Sequence, residues 1–505
     1  MQHFAIVTFG CQMNQHDSDR IAEVLRGAGM SEVREPEAAD FVLLNTCSVR
    51  EKAEQKLRSE VGRLGVLKRA RPGLVIGVAG CVAQQEGERL LKKLPQIDLM
   101  IGPDNIPELP ALLADCEAGG PPRVRTEFDV DAPSFLAHSV AHAPAGRSPS
   151  AFVTVMKGCN ERCSFCIVPY TRGPERYRPA REILAEIAEL TQAGVREVTL
   201  LGQTVNSYSD PAALFTTAGT IRVGDEATGH WQHTERERAR ADESEFPELL
   251  RAIASHAPNL LRLRYTSPHP RHLTRSLIRA HSELDVLSRH VHMPVQSGSD
   301  RMLKRMIRRY TVAEYLERVT ALKAAVPGLT LSTDIIVGFP GESRSDFEQT
   351  LELVQQAGFV GVFAFKYSPR PFTPALKLGD DVPEREKSAR LSALFELANA
   401  QRQHYLKSLE GAEVSVLVEG RGKAGHWGGR SERNEIVHFA ASHELLGRLV
   451  RVRVVSANKN SLLGEFTDTI DGLSVDTAVA DAARLLPQEP ALAEKPLRRL
   501  PLSPL

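Results

Sequence analysis

The 505 residues include 63 Lys or Arg and 63 Asp or Glu, so the chain carries no net formal charge of either sign. That absence removes the whole-molecule attraction by which basic domains hold nucleic acid, and any such contact must rest on local patches. Long apolar runs are missing too. None approaches the roughly 18 residues that a membrane-spanning helix needs, so no membrane partner is expected. Met1 to Phe9 leads directly into an apolar strand pattern, without a basic leader or small-residue cleavage site, and the expected location is cytoplasmic. Cysteine is scarce: seven, an odd and scattered number, which argues against a disulfide framework and for metal binding or catalysis.

A chain this long exceeds one core, and the patterning divides it. Residues 1–116 read as strand, turn, helix three times over. The strands Phe4 to Thr8, Phe41 to Leu44 and Leu74 to Ala79 are short apolar runs of the kind buried on both faces of a parallel sheet. Each leads into a cysteine: Cys11, Cys47 and Cys81. In an open α/β sheet the carboxyl ends of parallel strands share one edge, so three distant loops bring three thiols together. That is a three-thiolate site with one coordination position open.

Residues 117–150, rich in Pro, Gly, Ala and Ser, read as a linker. From 151 to 380 six apolar strands, near 152–157, 195–202, 262–267, 290–296, 329–339 and 360–368, alternate with amphipathic helices such as Arg181 to Gln192. Six βα units fall short of the eight of a closed barrel, which predicts an open, partial one with its site at the strand carboxyl ends. The polar stretch 209–245 is expected as a surface insertion. A charged helix over 381–410 leads to short strands over 411–470, a small β-barrel, and 471–505 is a tail. The predicted fold class is thus α/β multidomain, with an N-terminal open parallel sheet, a central partial (βα)6 barrel and a C-terminal small β-barrel.

Directly after the first strand of the central unit stands Lys157-Gly158-Cys159-Asn160-Glu161-Arg162-Cys163-Ser164-Phe165-Cys166. Three soft thiolates on one tight loop suit zinc or iron and sulfur. Structural zinc wants four closed ligands, and no Cys or His follows at finger-like spacing. A three-Cys loop leaves one iron of a [4Fe–4S] cluster open to a small molecule.

The spacing Cys-x3-Cys-x2-Cys, with an aromatic before the last Cys, resembles the signature of the radical S-adenosylmethionine (SAM) superfamily. Asn45 to Glu54, Gly158 to Pro174, Tyr265-Thr266-Ser267-Pro268-His269-Pro270, His292 to Gly298 and Ser332 to Glu342 are similar to its tRNA methylthiotransferases, the branch that makes 2-methylthio-N6-isopentenyladenosine. The resemblance implies two [4Fe–4S] clusters, one on the catalytic Cys159, Cys163 and Cys166, the other, auxiliary one on Cys11, Cys47 and Cys81. It implies SAM as methyl donor and radical source, cleaved to a 5′-deoxyadenosyl radical that attacks adenosine. Phe165, Gly202, Gln203 and Gly338 are the expected cofactor contacts. The implied partners are tRNA carrying N6-isopentenyladenosine at position 37, a reducing electron donor and proteins supplying sulfur and iron–sulfur clusters, with the enzyme a monomer. The small β-barrel corresponds to the family's RNA-binding TRAM module.

Tyr170, Arg172 and Arg176 are candidates for reaching substrate or phosphate, with plain solvation the alternative. For RNA the candidates are Arg301, Lys304, Arg305, Arg308 and Arg309, together with His426, Trp427 and Phe439 for stacking, against core packing of those aromatics. Two departures from the family pattern stand out: Gly202-Gln203-Thr204-Val205-Asn206, where Asn is usual at the third place, and Phe372, where Gly is common. The competing readings are a sister enzyme acting on threonylcarbamoyladenosine in tRNA or on a ribosomal-protein aspartate, and a non-catalytic iron–sulfur redox sensor that binds RNA.

Overall fold

The computed structural model describes residues 1–48, 51–130, 135–136, 148–212, 244–422 and 425–470. Most of the expected insertion and all of the expected tail lie outside them. Among the described residues no helix is long and apolar enough to cross a membrane.

The N-terminal sheet contains β1 (His3–Phe9), β2 (Ser31–Glu32), β3 (Phe41–Thr46), β4 (Val75–Ala79), β5 (Leu99–Ile101) and β6 (Arg123–Arg125). All run parallel, in the order β2-β1-β3-β4-β5-β6. Strands β3 and β4 are buried at every residue, because helices cover both faces and form an apolar layer on each. The register pairs Phe9 with Thr46 and Asn45 with Ala79, so β1, β3 and β4 end level and their cysteines share one edge. The sheet is wider than the three strands read from sequence. β5 and β6 have three residues each, too few to show a period, and β6 falls within the stretch expected as linker.

The central unit carries β7 (Ser150–Thr154), the short ribbon β8 (Met156–Lys157) and β9 (Arg176–Tyr177), then β10 (Glu197–Leu201), β11 (Arg262–Tyr265), β12 (His290–His292), β13 (Thr330–Val337) and β14 (Gly361–Lys366). Parallel pairing runs β7-β10-β11 and β12-β13-β14, and the Leu263–Leu287 bridge joins the two halves. Six strands in chain order with free edges at β7 and β14 make the open partial barrel. Its outward side chains, among them Val198, Leu200, Leu263, Val291 and Leu331, form one core with the surrounding helices. The Ala180–Gln192 helix contributes Ile183, Ile187 and Leu190 at helical spacing.

The last unit is a closed five-stranded barrel of β15 (Glu413–Arg421), β16 (Trp427–Ser431), β17 (Ile436–Ala440), β18 (Leu449–Ala457) and β19 (Leu462–Thr469), in the order β15-β16-β17-β19-β18. It docks under the starts of the central strands. Arg262 donates to the Arg430 carbonyl (2.8 Å), Arg264 to that of Ser431 (2.9 Å), and Ser288 to that of Glu432 (2.7 Å). The buried Glu197 carboxylate pairs with Arg264 at 3.0 Å and Arg262 at 3.4 Å. Burial and the neighbouring Arg264 still bring Arg262 down to about 10.

Removing Glu197 leaves two buried guanidinium groups without their anion. Glu197→Ala is expected to destabilise the fold by about 3–5 kcal/mol, read by urea unfolding, and to advance proteolytic release of the C-terminal barrel. An unchanged midpoint would show that the docking does not depend on this carboxylate.

Candidate active site between two sets of thiols

Cys11 is the N-cap of the Gln12–Gly27 helix, its Sγ 3.3 Å from Asn14 Oδ1. Cys47 follows β3, and Cys81 opens the Cys81–Glu86 helix. Between β4 and Cys81 the chain turns at Gly80 with φ +87, where a Cβ would come within 2.3 Å of Asn45 Oδ1. Only glycine fits there. Asn45 in turn donates to the Asn14 carbonyl (2.8 Å) and to Ser18 Oγ (2.9 Å), which fixes the end of β3 against the first helix. The hydrogen bond from the Cys47 thiol, opposed by burial and helped by the helix amides, draws the Cys11 thiol down to about 6. Burial pushes the Cys81 thiol up, and the adjacent Arg172 charge opposes that rise.

The second set stands on the loop that the β8–β9 ribbon closes at its base. Gly158 takes φ +78, and a Cβ there would overlap the Pro174 carbonyl. Further bonds seat the loop: Cys159 N to Gly173 O (3.1 Å), Ser164 N to Met306 O (3.0 Å) and Ala375 N to Ser164 O (2.8 Å). Thr204 Oγ1 lies 2.9 Å from Cys159 Sγ, and the buried Arg308 donates to Cys163 Sγ at 3.3 Å. Burial, followed by the nearby Cys163, lifts the Cys166 thiol to about 12, while burial and Cys166 push Cys159 well up.

These surroundings fit iron–sulfur clusters. Buried thiols that raise one another's pKa ionise together only around a cation, and groups donating to the sulfurs suit a cluster's thiolates. Among the described residues, the potential ligands whose donor atoms all lie within 4.8 Å of one another are Glu161, His269 and His272; neither cysteine set is drawn in so tightly. Thiolates on separate irons stand wider apart than ligands of one ion. Glu161 itself is an ion-pair clamp: His272 Nε2 lies 3.3 Å and Arg271 Nη1 3.7 Å from its Oε1. Burial alone would raise its carboxyl, but His269, His272 and Arg271 hold it well below the usual range. The clamp ties the cysteine loop to the end of β11.

The two thiol sets meet through Arg172, on the chain just beyond the cysteine loop. Its Nε donates to Cys81 Sγ at 3.3 Å, while Nη2 and Nη1 reach the two Asp17 carboxylate oxygens at 2.5 and 3.4 Å. Nearby, Asp104 of the N-terminal unit takes Lys157 Nζ at 3.1 Å and Arg176. Arg172 and Arg176, sequence candidates for substrate or solvent, are both buried and paired with aspartates. Arg308 is likewise withdrawn from the RNA candidates, because it faces Cys163 inside the protein. Arg301 pairs with Asp346, and Arg305 donates to the Pro340 carbonyl. Trp427 and Phe439 lie in the core of the small barrel, unavailable for stacking.

Of the expected SAM contacts, Gln203 accepts from Gly158 N at 2.5 Å, and its Nε2 is buried without a hydrogen-bond partner. A Cβ on Gly202 would stand 2.5 Å from Met156 Cγ. Phe165 packs with Met302, Met306, Phe339, Tyr367 and Ala375. Gly338 has a packing reason of its own, since a Cβ there would meet Lys387 Cγ at 2.3 Å. Sequence reasoning missed Thr204 and Arg308 as neighbours of the thiols, and Asp17 and Asp104 as partners of Arg172 and Arg176. Thr204 and Asp104 had a signal in position, shortly beyond the ends of β10 and β5, whereas Asp17 lies inside the first helix and Arg308 beyond another.

Replacing Arg172 strands Asp17 as a buried carboxylate. Arg172→Ala is expected to lose about 3–5 kcal/mol of stability in urea unfolding and to take up less iron at the N-terminal thiols. Arg172→Lys is expected to fall between, because an ammonium cannot reproduce the planar fork.

Comparison with known proteins agrees with this architecture. Residues 3–102 match the Uncharacterized protein family UPF0004, residues 153–354 the Radical SAM superfamily and residues 407–467 the TRAM domain. A tRNA-2-methylthio-N(6)-dimethylallyladenosine synthase of Sorangium cellulosum is 57% identical, over 99% of this chain and 98% of that protein. A synthase of the same name from Alkalilimnicola ehrlichii is 43% identical, over 94% and 99%. Among solved structures, the radical S-adenosylmethionine methyltransferase TsrM of Kitasatospora setae, with tryptophan substrate and a SAM analog bound, aligns with a TM-score of 0.50 at 12% identity, covering 74% of this chain and 75% of that one. That likeness is one of fold. The identities, sustained along nearly the whole chain, settle the kinship: this protein belongs to the tRNA-2-methylthio-N(6)-dimethylallyladenosine synthase family.

Proposed function

We propose that this chain is a radical-SAM methylthiotransferase that converts N6-isopentenyladenosine at tRNA position 37 to its 2-methylthio derivative. The observation that carries the reading is the pair of thiol sets, each with two buried members, at the strand ends of two α/β units, joined through Arg172. Cys159, Cys163 and Cys166 would hold the [4Fe–4S] cluster whose open iron takes SAM, and Cys11, Cys47 and Cys81 a second one. When bound, these groups supply the electron, the radical and the methylated sulfur; a side-chain base could not activate the adenine C2–H, which is not acidic enough at neutral pH.

The chain's own residues position and insulate. Arg308 donates to Cys163 and Thr204 Oγ1 lies against Cys159 in the radical set, and Arg172 donates to Cys81 in the other. The Glu161 clamp and the Asp104 pairs fix the cysteine loop against β11 and the N-terminal sheet. Phe165, Gly202, Gln203 and Gly338, close to the loop or at strand ends, are the proposed SAM contacts. The TRAM-like barrel, at the far end of the strands, is the proposed second RNA contact. The eight residues of β13 rise roughly 26 Å, so a substrate touching both ends must be long, as a tRNA is and a lone nucleoside is not. The reading further includes a reducing electron donor, proteins that supply sulfur and iron–sulfur clusters, action as a monomer and a cytoplasmic location.

Anaerobic reconstitution is expected to yield about eight irons per chain, and Ala at any cysteine of one set to remove about half. Incubation with reductant, SAM and tRNA from cells lacking the modification should give 2-methylthio-isopentenyladenosine, read by mass spectrometry of nucleosides. Cleaved SAM with unchanged tRNA would move the substrate to a sister enzyme. Bound zinc without cleavage would sink the reading.

A further inference from the structure

Exposed apolar side chains are few among the described residues, and four of the nine large ones gather beside the cysteine loop: Tyr170, Phe372, Leu376 and Leu378. Tyr170 is 43% and Phe372 53% exposed, with ring centroids 5.8 Å apart and planes tilted by 35°. No other ring pair among the described residues has both rings exposed. The Arg89 guanidinium lies 5.6 Å from the Phe372 centroid. Three segments thus contribute one side chain each: the N-terminal unit, the helix behind the cysteine loop and the loop after β14.

The backbone shows that this ring is not there for folding. Phe372 takes φ +68, a conformation that favours glycine and strains a bulky residue. An aromatic ring that is half exposed on strained backbone returns little burial to the fold, so its use lies in what it meets outside. Its position says what that is. Ala375, three residues on, donates to Ser164 inside the cysteine loop, and Tyr170 is four residues past Cys166. Whatever lies on this surface borders the mouth of the candidate site.

We infer that Tyr170, Phe372 and Arg89 form a stacking platform for an unpaired base of the RNA substrate, next to the adenosine that enters the site. This rests on the tRNA reading above and adds a contact to it. A base drawn out of a loop for chemistry leaves its neighbours unstacked, and aromatic faces replace that stacking irrespective of base identity. Arg89 and the exposed Lys377 supply positive charge for the adjoining phosphates. The whole chain's zero net charge makes such local contacts the necessary route. A protein partner would be served by the leucines, yet it has no need of two paired, half-exposed rings with a guanidinium over one of them.

The test uses the reconstituted full chain and an anticodon stem-loop RNA with 2-aminopurine on either side of the target adenosine. The wild-type protein is expected to quench one of the two probes on binding. Phe372→Gly puts the favoured residue at that backbone position, so thermal midpoint and iron content should hold or rise while the quench disappears and affinity falls about tenfold. Tyr170→Ala should act in the same direction. Quench and affinity equal to wild type in both variants would overturn the platform and leave the tRNA reading standing. Normal RNA binding with slower reduction by a small flavoprotein donor would assign the surface to a protein, and overturn it too. A wild-type chain that binds no stem-loop would remove the tRNA reading and the platform together.

Discussion

A single buried guanidinium organises this protein. Arg172 leaves the central unit just after the cysteine loop, enters the N-terminal unit, and there satisfies both oxygens of Asp17 and the sulfur of Cys81. A charge taken so far out of water is tolerable only where its partners are geometrically exact, and this fixes how the two α/β units meet. The juxtaposition of the two thiol sets depends on that docking. Without it, each unit keeps its three cysteines at its own strand ends, and no common site exists between them.

The remaining charges follow the same economy. Asp104 takes Lys157 and Arg176 at the junction beside Arg172, Glu161 takes His272 and Arg271 around the cysteine loop, and Glu197 takes Arg262 and Arg264 at the opposite end of the strands. Each carboxylate holds two basic side chains at a boundary between segments distant in sequence. Arg172, Arg176 and Arg262 are thereby buried and withdrawn from the surface. The cysteine loop stands at one end of the partial barrel and the small β-barrel at the other, a separation that fits the proposed tRNA substrate.

Much of this was legible in the sequence because it is local. Cys159, Cys163 and Cys166 lie on one loop, so spacing alone gives a three-thiolate set with a position open. Cys11, Cys47 and Cys81 are far apart, yet each follows a fully apolar run, and parallel pairing must then put them on one edge. The six runs read as strands of the open barrel are long enough to show a pattern, even where the paired part is short, as in β12. β5 and β6 are not, and a three-residue edge strand inside a Pro- and Gly-rich stretch has no period to read. Trp427 and Phe439 were candidates for a base, with core packing the commoner fate of such aromatics, and their side of the closed barrel decided for the core.

The sequence by itself therefore determined the chemistry available: six thiols in two sets of three, on strand ends, in a chain with no charge surplus to bind RNA indiscriminately. What only the tertiary structure decided is which partners surround them. Arg172, Arg176 and Arg308 read as loop or surface cations in one dimension, and became buried partners of Asp17, Asp104 and Cys163 because those groups arrive from distant segments of the chain. Spacing along a chain specifies contacts within a loop or a helix turn. Contacts between segments 155 residues apart, as Asp17 and Arg172 are, depend on how units pack, which no spacing along the chain specifies.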